Sequence, residues 1–336
     1  MTNTQKPTPK EWDTFVLNHP RGHFLQLSAW GEQKSAYDWS YDRVALFDGE
    51  TIIGGAQILF RPLPMKLGTM AYIPYGATVT DASQWSTLWD AIHACAKSHG
   101  AAFLKWEPGF YYNEDPTQWG FSESPQRIQP PRTLMIDITG DDDVIQKRMN
   151  QGTRRNIRKA YKNAIRYYEA SPDDLPHFTN MMTITGKRNA FGVHEPAYYD
   201  LMYKLFVPDH AALFLAEHEG DTLAANLVIS VGNTAVYLEG ASSNEKRNLM
   251  AAYGVQWEAI QWAKKRGCQY YDMWGVPDED RETLEVQFKN RNDGLWGVYR
   301  FKRGWGGDII RSAGAWDFVY NRIIYTAYKT ALRIRS

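Results

Sequence analysis

The chain has 336 residues, with 38 Lys and Arg against 38 Asp and Glu, so its formal net charge is zero. This length suggests about two domains. The balanced charge argues against a long nucleic-acid footprint, so any anion binding would need a local patch of basic residues. The two cysteines, Cys95 and Cys268, lie far apart and predict neither a disulfide framework nor a zinc site. The polar N-terminus and the absence of a long apolar run lead us to expect a cytoplasmic protein.

The first half of the chain predicts a hairpin, a strand, a helix and a strand in succession. Apolar runs flank Asp48-Gly49, a turn signal typical of a β-hairpin. A short aromatic strand follows from Met70, and an amphipathic helix from Trp89 ends at Gly100 before another strand. This order of elements predicts one α/β unit.

The second half repeats these elements in the same order. A hairpin pattern surrounds Gly220-Asp221, a strand starts at Ala235, and the helix from Trp257 ends at Gly267. Chance similarity between two helix–strand units is common, whereas a match of successive elements in order is not. We therefore predict two copies of one α/β (α+β) domain.

This order of elements resembles the core of the acyl-CoA N-acyltransferase fold, which implies a tandem pair of such domains, at 1–139 and 140–309. That fold binds coenzyme A through a glycine-rich loop at a helix N-terminus. The equivalent stretch from Lys246 lacks those glycines, so we expect no cofactor. The tail, 310–336, predicts an amphipathic helix that packs back on the first domain or, alternatively, attaches to an anionic membrane surface.

The strongest charge run lies between the two copies, from Gln146 to Arg166. It contains eight Lys and Arg and no acidic residue, on a helical background. The run is either a solvated helix face or a patch that binds phosphates.

A second unusual segment, "FKRGWGGD", lies near the C-terminus. It places Lys302 and Arg303 beside Gly304, Gly306 and Gly307. Glycine permits a positive φ or a close approach of the backbone to another molecule. The segment therefore predicts either a tight turn with an exposed lysine or a functional site.

The segments "TRRNIRKA" and "FKRGWGG", together with the duplicated architecture, resemble the FemABX family of peptidoglycan aminoacyltransferases. The resemblance covers nearly the whole chain, and the length leaves no room for a helical-hairpin arm, so the chain resembles the compact FemX-like type. It implies transfer of an amino acid from aminoacyl-tRNA to the side-chain amine of the stem peptide in a peptidoglycan precursor. The precursor would be nucleotide-linked or lipid-linked.

The resemblance also implies roles for individual residues and no metal ligand. Phe301 and Lys302 fall on the family's Phe-Lys pair, whose lysine acts on the aminoacyl ester, and Glu107 falls on an acidic site that is a candidate base. In "HEPAYY", Glu195 stands where the family has arginine, and a carboxylate cannot bind a diphosphate as a guanidinium does. The implied substrate-binding residues are Lys34, Trp30, Tyr199, Glu195, Tyr237 and Glu239. The implied tRNA-binding residues are Arg154, Arg155, Arg158, Lys159 and Arg303.

Two other functions fit the same sequence. An acyl-CoA-dependent N-acyltransferase shares the fold, although the missing pyrophosphate loop argues against it. A non-catalytic module that binds RNA or a cell-wall precursor would keep the basic run and tolerate loss of Lys302. The expected partners are the acceptor end of aminoacyl-tRNA and a peptidoglycan precursor, and DNA is not among them.

Overall fold

The computed structural model describes residues 2–189 and 192–335, which form strands β1 to β15 and helices α1 to α11. The strands are β1 (Thr2–Gln5), β2 (Ser40–Asp48), β3 (Thr51–Pro62), β4 (Thr69–Pro74), β5 (Thr78–Val79), β6 (Ala101–Glu107), β7 (Ser122–Glu123), β8 (Arg132–Asp137), β9 (Arg166–Glu169), β10 (Ala211–His218), β11 (Asp221–Val231), β12 (Thr234–Ser242), β13 (Tyr270–Val276), β14 (Asp308–Arg311) and β15 (Trp316–Val319). The helices are α1 (Pro9–Asn18), α2 (Ser28–Ser35), α3 (Trp85–Ser98), α4 (Asp142–Arg148), α5 (Gln151–Lys162), α6 (Leu175–Asn189), α7 (Pro196–Phe206), α8 (Ala251–Lys265), α9 (Arg281–Gln287), α10 (Trp296–Lys302) and α11 (Arg322–Arg335).

The described residues form two compact units. The first comprises the chain up to Pro131 and from Arg311 onward, and the second comprises Arg132–Ile310. The boundary between the units lies at Pro131, earlier in the chain than the boundary of 139 suggested by the sequence. The reason is that β8 pairs antiparallel with β13 and so belongs to the second sheet. Ser336, the last residue of the predicted tail, lies outside the described residues.

The first unit is built on one mixed sheet whose strand order is β1-β2-β3-β4-β6-β15-β7, with β5 beside β3. The hairpin β2–β3 turns at the predicted Asp48-Gly49 signal, where Gly49 has a positive φ. Helix α3 contributes Leu88 and Ile92 to a core that also holds Leu104 of β6. Parallel strands β4 and β6 pair along their whole length, from Thr69 to Pro74 on β4.

The second unit has the strand order β14-β8-β13-β12-β11-β10-β9. Helix α8 covers its sheet and places Val255 and Ile260 in a core with Val228 and Tyr271. The parallel pairing of β12 with β13 covers Thr234–Val236 and ends there. Beyond that point the two strands diverge. The two sheets confirm the predicted pair of acyltransferase-like domains.

Each sheet is completed by a strand from outside its own copy. Strand β8 follows the first copy but pairs with β13 of the second sheet. Strand β15 follows the second copy but pairs with β6 of the first sheet. The prediction of one helix over the tail was wrong at its start, because Trp316–Val319 forms β15 and α11 begins only at Arg322.

No helix among residues 2–189 and 192–335 is both long enough and apolar enough to cross a bilayer. The longest described helices, α6 and α8, have 15 residues each, so the described chain contains no long helical-hairpin arm.

Candidate functional site

A cavity of 1110 Å³ lies within the second unit where β12 and β13 diverge. Its volume lies just above the usual range for small-molecule sites, about 300–1,000 Å³. It is bordered by β12, β13, α6, α10 and the first turn of α8. The side chains that matter below are Arg188, Tyr237, Glu239, Arg247, Trp274, Phe301 and Lys302.

Lys302 ends α10 and lies at this cavity with only 6% of its surface exposed. Its Nζ donates a hydrogen bond to the Gly275 carbonyl at 2.8 Å. Burial lowers the pKa of the Lys302 ammonium to about 8, although the carboxylates of Asp272 and Glu239 oppose the shift. A lysine with this pKa can change protonation near neutral pH.

A β-bulge in β13 positions the partners of Lys302. Its pairing with β8 shifts register between Asp272 and Gly275, and Trp274 at the bulge has φ 61°. The Asp272 carboxylate accepts the Trp274 N–H at 2.7 Å and the Thr133 hydroxyl. Asp272 thus holds the bulge while the Gly275 carbonyl accepts from Lys302. Bulges that redirect groups in this way are common beside active sites.

Glu239 faces Lys302 from β12. Burial raises the pKa of the Glu239 carboxyl to about 7, and the Lys302 charge opposes this shift. Burial, followed by the Glu239 charge, also raises the pKa values of Tyr199 and Tyr237. The Tyr237 ring lies near Lys302, with its centroid 5.9 Å from Nζ. Four residues predicted from the sequence therefore form one electrostatic cluster.

The glycines after Lys302 contact their own chain. A Cβ on Gly304 would lie 2.3 Å from the Thr153 hydroxyl, and one on Gly307 would lie 2.3 Å from the Met135 carbonyl. Close packing within the second unit therefore explains these glycines. Of the two alternatives for this segment, the tight turn with an exposed lysine was wrong, because α10 continues to Lys302 and buries it. Phe301 packs its ring against Tyr253, with centroids 5.1 Å apart.

Two arginines lie at the cavity rim. Arg188 donates to the Ser242 carbonyl at 2.8 Å and to Asn244 Oδ1 at 2.9 Å, which holds it in place. Burial and then the nearby Arg247 charge lower the Arg188 pKa. The first turn of α8 also borders the cavity, and its N-cap residue, Met250, makes no side-chain capping hydrogen bond. Two guanidinium groups and a helix N-terminus favour an anion here.

The basic run forms the end of α4, all of α5 and the first residue of β9. Asn150 caps α5 by accepting the Thr153 N–H at 2.7 Å. Arg155, Arg158 and Lys159 are exposed on α5. Arg154 differs, because its guanidinium donates to the Met149 carbonyl at the end of α4.

Arg303 is engaged within the protein. Its guanidinium pairs with both carboxylate oxygens of Glu285. It also stacks on Phe288, with Cζ 3.9 Å from the ring centroid. This arrangement fastens α10 to α9 rather than presenting the guanidinium freely to an RNA.

Glu107 lies in the first unit with its carboxylate saturated by hydrogen bonds. It accepts the Tyr72 hydroxyl, the Ile128 N–H at 2.7 Å and the Gln129 N–H at 3.2 Å. These contacts tie β4, β6 and the segment after β7 together. The geometry favours a structural role for Glu107 over that of a base.

Lys34 belongs to a cluster of cations and aromatic rings in the first unit. Its Nζ lies 5.2 Å from the Trp30 ring centroid and 5.8 Å from that of Trp39. The Arg61 guanidinium lies 5.5 Å from the Trp39 centroid. Burial and then the Arg61 charge lower the pKa of Lys34. Two neighbouring cations of this kind favour an anionic ligand.

The "HEPAYY" segment divides between surface and core. Glu195 is exposed at the N-cap of α7 and makes no side-chain capping bond. The His194 ring stacks on Tyr198 with a centroid separation of 3.7 Å, and the His194 backbone N–H donates to the Tyr199 hydroxyl. Tyr199 itself is buried.

Sequence reasoning missed Arg61, Arg188, Asp272 and Trp274. One signal was available for Asp272, because the repeat places a charged residue at the same position of each buried strand, Lys105 in β6 and Asp272 in β13. A charge within an apolar strand indicates a buried pair or a site. Arg61 and Arg188 join their sites through contacts with residues distant in sequence, Trp39 and Ser242.

Asp42, Cys95 and His99 bring potential metal-ligand atoms within 4.8 Å of one another. The Lys6 ammonium already lies 2.7 Å from Asp42. Burial raises the pKa of the Cys95 thiol to about 12, whereas a metal requires the thiolate. These residues fit a metal ion poorly, and the expectation of no metal stays a prediction.

Comparison with known proteins agrees with this architecture. The lipid II:glycine glycyltransferase of Staphylococcus saprophyticus is 26% identical, over 95% of this chain and 93% of that protein. The enzyme of the same name from Staphylococcus aureus is also 26% identical, with the same coverage.

Solved structures show the same fold. The crystal structure of FemX superposes with a TM-score of 0.87 at 24% identity and covers 97% of this chain and 99% of that one. A tandem GNAT protein from clavulanic acid biosynthesis gives a TM-score of 0.55 at 10% identity, covering 95% and 98%. The FemAB family model matches residues 8–123, 118–222 and 217–333. The chain therefore belongs to the FemAB family.

Proposed function

We propose that the chain transfers an aminoacyl group from aminoacyl-tRNA to the side-chain amine of the stem peptide in a peptidoglycan precursor, and so builds an interpeptide bridge. The observation that carries this proposal is Lys302, a buried ammonium at the wall of the cavity with its pKa lowered to about 8. Family membership supports it, as does the name of the staphylococcal relatives, lipid II:glycine glycyltransferase.

In the proposed reaction the amine attacks the ester carbonyl carbon of the aminoacyl group. A C–N bond forms, and negative charge develops on the carbonyl oxygen. The Lys302 ammonium donates one hydrogen bond to this oxyanion, while a second N–H of the same ammonium stays hydrogen-bonded to the Gly275 carbonyl. Collapse breaks the bond from the carbonyl carbon to the ribose oxygen, and this oxygen takes up the proton that the attacking nitrogen has lost.

Proton transfer requires a base because the acceptor amine is an ammonium in water. We assign this role to Glu239, which lies at the same cavity and whose carboxyl pKa is raised to about 7. A base with a pKa near the working pH combines a useful ionised fraction with basicity. Glu107 is not needed for this step.

The donor's unpaired acceptor end would occupy the cavity of the second unit. Arg188, Arg247 and the N-terminal turn of α8 would bind its phosphates, and Trp274 offers a ring for stacking a base. The exposed cations of α5 would contact phosphates farther along the tRNA.

The precursor's diphosphate would bind to Lys34 and Arg61 in the first unit. Both cations flank the Trp39 ring, which offers an apolar surface for the sugar. A diphosphate occurs in both nucleotide-linked and lipid-linked precursors, so this cluster is compatible with either.

The decisive test supplies purified protein with charged total tRNA and with both forms of precursor, and mass spectrometry detects the product. We expect one aminoacyl residue to be added to the stem-peptide side chain, and ribonuclease treatment to abolish the addition. Transfer from an acyl-CoA instead, or no transfer from any charged tRNA, would contradict the proposal.

A further inference from the structure

Helix α11 presents an exposed apolar row beside a basic row. Ile323 and Ile334 are 84% and 81% exposed. The spacing of 3.6 residues per turn aligns them with exposed Ala327 on one face. A neighbouring row holds Arg322, Lys329 and Arg333, and α11 contains no acidic residue.

The opposite face of α11 is fixed to the first unit. The Tyr325 hydroxyl donates to Asp317 Oδ2 at 2.8 Å, and Asp317 forms a buried ion pair with Lys105 at 2.9 Å. The Tyr328 hydroxyl donates to Gln126 Oε1 at 2.6 Å, and its ring packs on Phe103. These anchors set the rotation of α11, so the isoleucines stay turned outward.

A second apolar feature lies at the end of the sheet where α11 begins. In the loop between β3 and β4, Met65 is 85% exposed and Leu67 is 37% exposed. The residue after this loop, Thr69, donates its N–H to the Gly100 carbonyl, and Asn321, just before α11, donates to the Ala102 carbonyl. The loop and the start of α11 therefore both adjoin the start of β6.

The basic row also borders a cavity. Arg322 and Lys329 line a space of 390 Å³ between α11 and β15. The room and charge suit a phosphate group placed beside the exposed isoleucines.

We propose that this surface, formed by α11 and the loop from Pro64 to Leu67, docks on an anionic lipid bilayer. Exposed isoleucines would enter the boundary between headgroups and acyl chains, while the arginine and lysine side chains reach lipid phosphates. RNA offers phosphates but no partner for the isoleucines. The whole chain is formally neutral, so the attraction to lipid comes from this local surface. The inference does not rest on the proposed aminoacyl transfer.

The test is cosedimentation of the full chain with vesicles of phosphatidylcholine alone or mixed with phosphatidylglycerol. We expect binding to the mixed vesicles that weakens as salt is raised. The double variant I323S/I334S and the triple variant R322Q/K329Q/R333Q should each bind more than about tenfold more weakly. All these side chains except Lys329 are exposed, so the variants should fold, which circular dichroism checks.

Two control variants remove the same kinds of side chain, apolar or basic, from other helices. Val286→Ser removes a 69% exposed apolar side chain from α9, and R155Q/R158Q/K159Q removes three charges from α5. Both controls should bind vesicles like the parent chain. Equal binding to phosphatidylcholine alone, an equal loss in the controls, or unchanged binding by the α11 variants would overturn the proposal. So would a loss of tRNA affinity in the α11 triple variant with vesicle binding intact, because the row would then serve RNA.

Discussion

Lys302 is buried, and burial disfavours the charged form of its side chain. Its pKa falls to about 8 because desolvation outweighs the attraction of Asp272 and Glu239. Its position at the cavity is consistent with a charge that is needed when an oxyanion develops.

Replacing Lys302 with methionine should abolish most turnover and leave substrate binding nearly intact. Both methionine and alanine lose the hydrogen bond to the Gly275 carbonyl, but methionine keeps the volume of the side chain, whereas Lys302→Ala would also leave a void. Loss of one oxyanion donor typically costs about 2.7–4 kcal/mol in the activation barrier. Single-turnover kinetics with charged tRNA would measure this effect, and Lys302→Arg should rescue poorly because its guanidinium is planar.

The control for this variant is Lys265→Ala, which removes an exposed lysine from α8. It should transfer at the parental rate. A folded Lys302→Met protein that also transfers at the parental rate would remove Lys302 from the chemistry and leave it a packing residue.

The pH dependence of turnover should follow Glu239 and Lys302. Glu239 must be ionised to accept a proton, so the rate should rise as pH increases through about 7. Lys302 must be protonated to donate, so the rate should fall as pH increases through about 8. Glu239→Gln should lower the rate and remove the acid limb. If that limb persists in Glu239→Gln, the base is another group.

At the scale of the elements, the parallel strands of the second unit separate part-way along, whereas the equivalent strands of the first unit stay paired. Strands β12 and β13 part after Val236, and the cavity occupies the gap. Strands β4 and β6 stay paired to Pro74, and the Tyr72 hydroxyl donates to Glu107 across them. The first copy therefore lacks the equivalent opening between its described strands.

Glu107→Gln separates the structural role of Glu107 from the catalytic one. The buried carboxylate accepts from Tyr72 and two backbone N–H groups, so its replacement should lower the free energy of unfolding by about 1–3 kcal/mol. The acid limb of the rate profile should remain, since Glu239 supplies it. Chemical denaturation and the pH profile of the variant test both statements, and loss of the acid limb would restore Glu107 as the base.

The exposed cations of α5 should set the salt dependence of donor binding. The variant R155Q/R158Q/K159Q should weaken tRNA binding and flatten the plot of log affinity against log salt by about 0.7–0.9 per lost phosphate contact. Arg154→Gln should instead affect stability, since Arg154 holds the end of α4. An unchanged slope in the triple variant would mean that α5 is only a solvated face.

At the scale of the molecule, the formal net charge is zero, but cations gather in local clusters that suit different ligands. Cations at the rim of the second unit's cavity suit the donor, and Lys34 with Arg61 in the first unit suits the acceptor. The two sets lie in separate units, so variants should separate the two Michaelis constants.

Lys34→Ala and Arg61→Ala should each raise the Michaelis constant for the precursor more than they lower turnover. The constant for aminoacyl-tRNA should stay at its parental value. Lys10→Ala on α1 is the control, since it removes an exposed lysine of the same unit. Unchanged constants in both variants would place the precursor elsewhere.

The sequence by itself determined the duplicated order of hairpin, strand, helix and strand, because turn signals and apolar periodicity are local. Through the family resemblance it also predicted site roles for Lys302, Glu239 and Tyr199, which stay predictions. Only the tertiary structure decided that Lys302 is buried, that Gly304 and Gly307 pack against their own chain, and that Arg61 joins Lys34. It also decided that β8 and β15 each complete the other copy's sheet. These outcomes depend on contacts between residues far apart in the chain, where burial sets the pKa and no local pattern records the partner.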